Sequence, residues 1–399
     1  MGDNLKFKKR KILKYFIVGL IGVFGLYCSI KNIEWFFYLI LIIIGLVILG
    51  VYLLNYIKVG FIRKVVKSFF ILILIFSVSV CLKLFVINLY KIPSSSMEDT
   101  LIPGDVILVN KLIYGPKVPK GLNQISWFHF FNIVNRDKVS DLPSSDSVYR
   151  LSGSSRIKKG DLFIYELSQD FFVVKRCVSN PGDTLLINDS RVYINGQESF
   201  FTSTIKEKYS IEVTDRYQFH KHLDKIGLDI DLLIKDELHK NSLYGNLSGD
   251  EVKLISAFKE VKCIEINFDG DNSKRELFAT PPLRNWTMDN MGPFVIPNEG
   301  LTIELNDYTF ELYKGIINND EFNKCRKEEN AFFINNKKET HYTFKSNYYF
   351  VMGDNRKESF DSRFIGFIPE RDVIGKVEYV LYSKNGDGFD WKRTFKKVL

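Results

Sequence analysis

A mainly β domain behind N-terminal transmembrane helices, interrupted by a mixed α/β insertion, is the fold class this 399-residue sequence predicts. Three observations predict it. Residues 1–90 hold three long apolar runs. From Lys91 onward, short β-branched and aromatic runs alternate with Pro-Gly, Gly-Asp and Asn-Gly turns. Between about residues 198 and 345 that rhythm gives way to helix signals.

The apolar runs are Tyr15–Ile30, Trp35–Ile57 and Ser68–Tyr90. The first is at the short end for a spanning helix; the second and third are long enough. Lys83, near the end of the third, can snorkel to the interface. Charges around the runs set the orientation. Lys6, Lys8, Lys9, Arg10, Lys11 and Lys14 face one acid, Asp3, in residues 1–14, and Lys58, Arg63, Lys64 and Lys67 follow the second run. The turn between runs one and two balances Lys31 against Glu34. The positive-inside rule puts residues 1–14 and 58–67 in the cytoplasm and everything after Tyr90 outside. No small-x-small cleavage site precedes a soluble domain, so the first run reads as an uncleaved anchor. The net charge of +8 lies largely beside these runs, which points to a lipid bilayer as partner and away from nucleic acid, for which no motif is present.

In the exterior part the expected strands include Asp105–Asn110, Leu162–Tyr165, Phe171–Val178, Val192–Ile194, Tyr348–Met352 and Val377–Tyr382, with Asn195-Gly196 marking a tight hairpin. They divide the chain into a catalytic β domain, 91–197 and 346–399, and an insertion or secondary domain, 198–345. Within the insertion, Ser248 and Glu251 form a capping-box signal before a helix, and Asp307–Ile317 reads as a second. The five cysteines show no CxxC spacing and no histidine lies in a metal motif, so no metal is expected. Cys263 and Cys325 could pair in an oxidising space; spacing leaves that open.

Three stretches carry chemistry. Ile92-Pro93-Ser94-Ser95-Ser96-Met97 follows the third apolar run directly and fixes a serine just beyond the bilayer. Lys175 ends an apolar strand; alternation sets Val173, Lys175 and Cys177 on one face and Phe172, Val174 and Arg176 on the other. Burial lowers a lysine's pKa, and a neutral amine can activate a serine hydroxyl. Gly353–Arg363 is too polar for a core strand and reads as a loop of hydrogen-bonding groups able to position that lysine.

Taken together, Lys91–Leu101, Lys158–Asp161, Val174–Asp183 and Tyr349–Pro369 resemble the type I signal peptidases, or leader peptidases, in content and order. The resemblance implies a signal-peptidase-like β-fold and a membrane-bound serine endopeptidase that removes N-terminal signal peptides from secreted preproteins, cutting after small residues at −3 and −1. It assigns Ser96 as nucleophile and Lys175 as general base. Ser94 Oγ and the Ser96 backbone N–H become the oxyanion hole, Ser359 orients the lysine, and Asp361 and Arg363 form a supporting ion pair. Ile92, Met97, Leu101, Phe172 and Val174 take the substrate, which adds as a strand beside Phe172–Val174. No cofactor is implied. The expected place is the bacterial cytoplasmic membrane, multi-pass, with the active domain on the extracytoplasmic side near the protein-translocation channel.

The sequence departs from the family at Lys357 and Glu358, where an Asp-Asn pair is usual, and at Asp99, where proline is usual. The aromatic stretch Ile125–Val134 is read either as a core strand or as a loop dipping into the headgroups. Rival readings are a Ser/Lys protease with another substrate and a catalytically inactive, membrane-tethered preprotein-binding protein. The retained Ser96, Lys175 and Asp361 argue against the latter.

Overall fold

The computed structural model describes residues 19–119, 148–168, 171–228, 232–234, 241–267, 276–279, 285–329, 331–385 and 388–398. The aromatic stretch 125–134 lies outside them. The chain forms two units, Met1–Ile87 with Gly115–Ser154, and Asn88–Tyr114 with Ser155–Leu399.

In the first unit, α1 (Gly19–Ile30), α2 (Glu34–Tyr56) and α3 (Gly60–Cys81) follow one another. Both α2 and the stretch Gly60–Val86 are long and apolar enough to cross a membrane, with mean hydropathies of 3.0 and 2.8, and almost none of either is buried within the protein. Such surface needs an apolar surrounding. Close packing of α2 on α3 uses Gly50, where a β-carbon would lie 2.8 Å from the Phe70 ring. Two boundaries differ from the sequence reading. The third helix starts at Gly60 rather than Ser68, because Arg63, Lys64 and Lys67 favour helix and nothing breaks it. It also stops early: one π turn, Leu82–Val86, ends the helical run and Ile87 is already in a strand. There β-branched Val86 and Ile87 and the alternating Asn88, Leu89 and Tyr90 favour extended backbone.

The second unit is built on a nine-stranded sheet. Its strands, with those of the smaller sheets in chain order, are β1 (Ile87–Lys91), β2 (Asp105–Asn110), β3 (Leu162–Ser168), β4 (Phe171–Ser179), β5 (Thr184–Asn188), β6 (Arg191–Ile194), β7 (Lys206–Val213), β8 (Ser242–Ser248), β9 (Val261–Ile266), β10 (Met291–Val295), β11 (Tyr348–Met352), β12 (Ile368–Pro369) and β13 (Val373–Asn385). The main sheet runs β1-β2-β13-β3-β4-β11-β12. Its centre is covered on both faces. Leu162, Ile164 and Val174 join Ile92, Met97, Leu101 and Val380 on one side. Phe163, Tyr165 and Cys177 join Tyr349 and Val351 on the other. This double burial explains the continuous apolar runs of β3 and β4.

The segment 198–345 falls into two packing groups. Strands β7, β8 and β9 form a separate antiparallel sheet with helices α4 (Arg216–Ile226) and α5 (Gly249–Ser256) over a core of Ile211, Phe219, Leu223, Leu243 and Ile255. Strand β10 instead pairs with β5, and with α6 (Asp307–Gly315) it shares one core with Val178, Leu185, Phe350 and Met352. Local signals held: Ser248 and Glu251 make the reciprocal cap, and Asn195-Gly196, both at positive φ, closes a hairpin in which Ile194 faces Gln197. All five cysteines, Cys263 and Cys325 included, are free thiols.

Candidate active site

The chain between β1 and β2 folds into a tight turn that presents Ser96. Glu98 N–H donates to the Ser95 carbonyl at 2.9 Å and Leu101 N–H to the Met97 carbonyl at 2.7 Å. Met97 and Leu101 are sunk into the core beneath. Ser96 itself is half-buried. Its Oγ is hydrogen-bonded to Lys175 Nζ at 2.7 Å, across a sequence gap that the main sheet closes. Lys175 is 4% exposed, and Ser96 Oγ is its one hydrogen-bond partner among the described residues. Burial pushes its amine down to about 8, against an opposing pull from the Asp361 and Asp354 carboxylates. Removing a charge from water disfavours the ammonium form, so the amine passes to its neutral form around pH 8, well below an ordinary lysine. A neutral amine touching a hydroxyl is a general base touching its nucleophile.

The loop after β11 braces the pair. Asn355 N–H donates to the Ser96 carbonyl at 3.1 Å. Gly353 lies so close that a β-carbon there would be 2.3 Å from Ser359 Oγ and 2.5 Å from the Ser96 carbonyl oxygen. Asp361 accepts from Arg363 Nε and Nη2, both at 2.9 Å, and from the Gly353 N–H at 3.0 Å. Burial alone would raise the Asp361 pKa, but Arg363 and these donors hold it below the ordinary carboxylate range. Beside Lys175, Arg176 grips Asp354 through Nε at 2.8 Å and Nη2 at 2.7 Å, and the Gly160 carbonyl through Nη1 at 2.9 Å. Thr100 Oγ1 also donates to Asp354, which ties the serine turn to the same carboxylate.

Other expected residues stand as follows. Ser94 is exposed, with its Oγ 3.5 Å from Ser96 Oγ. Ser359 is fully buried and its hydroxyl makes no hydrogen bond to Lys175; it lies against Gly353. Ile92 and Val174 are 6% and 9% exposed, whereas Met97 and Leu101, at 1% and 0%, pack beneath the turn in the same cluster. Phe172, 37% exposed, stacks edge-on against Tyr90. Strand β4 pairs with β3 from Phe171 to Arg176, but its register with β11 begins only at Arg176. The second edge of residues 171–175 therefore has no strand neighbour among the described residues.

Reading the sequence missed Asp354 and Asp289. Asp354 stood inside the polar loop, and its signal was the arginine beside Lys175, which a buried strand must neutralise. Nothing local marked Asp289, which meets Lys357 of the same loop. Among the described residues no group of three His, Cys, Asp or Glu side chains is placed to hold a metal ion.

A family model described as signal peptidase, peptidase S26, matches residues 62–237 and 296–382. The chain is 25% identical over 330 residues to a signal peptidase I of Buchnera aphidicola subsp. Baizongia pistaciae, covering 81% of this chain and 80% of that protein. It is 24% identical over 333 residues to a signal peptidase I of Aquifex aeolicus, with coverage of 80% and 84%. A signal peptidase I of Pseudomonas aeruginosa is 33% identical over 134 residues, 33% of this chain and 37% of the other.

Proposed function

The chain belongs to the signal peptidase, peptidase S26, family, and from that premise we propose that Ser96 and Lys175 are the nucleophile and general base by which it removes signal peptides from preproteins. It is a serine peptidase of that family; the residue roles are our reading, and the observation that carries them is the 2.7 Å contact between Ser96 Oγ and an amine held close to neutrality.

The contact supports the following steps. With the amine neutral, the Ser96 hydroxyl donates to Nζ. The oxygen attacks the carbonyl carbon of the residue at −1 as its proton passes to Lys175. The oxyanion that develops accepts from the Ser96 N–H and the Ser94 hydroxyl. As the tetrahedral carbon collapses, the C–N bond breaks and the lysine ammonium returns its proton to the leaving amine. Water, deprotonated by the same lysine, then releases the acyl group from Ser96. The substrate's extended segment aligns along the open edge of residues 171–175, by backbone hydrogen bonds of the strand-addition kind. Ile92 and Val174, 6% and 9% exposed, are the side chains we assign to meet small residues at −1 and −3. Supporting the loop, Asp361 and Arg363 fix the ground on which the pair rests.

The protein is read as an inner-membrane enzyme. We extend this to a multi-pass arrangement in which residues 1–14 are a cytoplasmic tail, the apolar helices within 15–90 are the anchor, and the catalytic domain is extracytoplasmic, close to the protein-translocation channel. The test is cleavage of a preprotein in detergent by the wild type, Ser96→Ala and Lys175→Ala. The wild type is expected to release the mature protein and neither variant to do so; equal cleavage by all three would refute the pair.

A further inference from the structure

We propose that Asp289 is a positioning residue for the Ser96–Lys175 pair, acting through a buried ion pair with Lys357; this rests on the reading of that pair given above. The loop 353–363 supplies braces for the site from the Asn355 N–H on the Ser96 carbonyl to the Asp361 carboxylate beside Lys175. Midway along it, Lys357 turns inward. Its Nζ meets Asp289 Oδ1 at 2.5 Å, with the two side chains 4% and 3% exposed. A buried ammonium is tolerated only against a fixed counter-charge, so the course of the loop through residue 357 depends on where Asp289 is held.

Asp289 is held firmly. Its Oδ1 also accepts from Ser190 Oγ at 2.6 Å, and the Ser190 N–H donates to the Asp289 carbonyl at 3.0 Å. Ser190 sits in the two-residue turn between β5 and β6, with Asp189 and Ser190 both at positive φ, and those strands belong to the large shared core. The anchor for the loop is thus the hairpin core, transmitted through one carboxylate. A second grip comes from β7: Lys206 N–H donates to the Asp354 carbonyl at 2.8 Å and Arg356 N–H to the Lys206 carbonyl at 3.0 Å. Asp289 lies in residues 238–295, between the two stretches matched by the family model. The unusual lysine in the loop and the acid that neutralises it therefore belong together, and the acid comes from a part of the chain outside the family pattern.

The experiment uses the full-length enzyme in detergent, a purified preprotein, and kcat and KM measured per folded enzyme, the folded fraction being set by near-UV circular dichroism. Asp289→Ala is expected to lower kcat by on the order of 100-fold while KM stays within about threefold, the pattern of a displaced reacting group rather than lost binding. Asp289→Glu is expected to recover at least about tenfold of that loss, since it restores the charge at nearly the same place. Wild-type kcat in folded Asp289→Ala, or a loss that glutamate leaves untouched, overturns the proposal. Should Asp289→Ala fail to fold, the double variant Asp289→Leu with Lys357→Met leaves no buried charge uncompensated; it is expected to fold with kcat still lowered, and wild-type kcat there equally overturns the proposal. Ser96→Ala and Lys175→Ala run alongside: activity in either sinks the assignment of the pair itself, whereas inactive controls with an unaffected Asp289→Ala sink only this inference.

Discussion

Titrating the enzyme tests the central electrostatic claim directly. Burial takes the Lys175 amine from the 10.5 of an ordinary lysine to about 8, which corresponds to roughly 3.5 kcal/mol of disfavoured ammonium at about 1.4 kcal/mol per pKa unit. The base is the neutral form. Its population therefore rises about tenfold per pH unit below the pKa and saturates above it. The log of kcat/KM for a peptide with alanine at −1 and −3 is expected to climb with unit slope and level off near pH 8. The sign of a second arm follows from the charges. Asp361 and Asp354 pull the lysine pKa upward and Arg363 pushes it down, so Asp361→Asn removes the larger upward pull and leaves only Asp354 against burial and Arg363. Its break point is expected below that of the wild type even though its maximal rate is lower. A profile still rising with unit slope to about pH 10 would mean an ordinary solvated amine. A flat profile from about pH 6 upward would mean that no amine is the base. Either result would refute the reasoning.

Two further outcomes are expected. Gly353→Ala puts a methyl group 2.5 Å from the Ser96 carbonyl oxygen and 2.3 Å from Ser359 Oγ; the loop must shift, and kcat is expected to fall by on the order of 100-fold in stopped assays, against a reading of simple loop packing if it does not. Arg176→Met strands the buried Asp354 carboxylate without its bidentate partner, so thermal denaturation is expected to show a loss of about 3–5 kcal/mol, and an unchanged melting temperature would contradict the assigned burial.

Much of the fold could be read locally. Asp105–Asn110 and Tyr348–Met352 begin and end where their alternating or β-branched residues suggest, and the cap at Ser248 and the Asn-Gly hairpin are written in adjacent residues. Lys175 drew notice because an apolar strand around one lysine is costly, but only the resemblance of the three stretches taken together paired it with Ser96. What escaped depends on distant partners. The end of the third helix was hidden because apolar character continues from Phe76 to Val86 while only the backbone preference changes. The single insertion at 198–345 divided because β10 finds β5, a strand roughly a hundred residues earlier, which no local pattern announces. Lys357 read only as a departure from the family pattern; its counter-charge lies far off in sequence, at Asp289. Met97 and Leu101 were expected at the substrate surface, yet a turn this tight drives their side chains inward.

The position of β13 in the main sheet has a consequence for biosynthesis. This last long strand lies between β2 and β3, so it wedges apart the ribbon that leads from the serine turn and the ribbon that carries the lysine. Until residues 373–385 have been made, those ribbons have no shared neighbour in the sheet, and only the loop contacts through Asp354 and Asn355 tie the serine turn to the strand of the lysine. The sheet beneath the pair is therefore closed by a strand made after both of the segments that carry the reacting atoms.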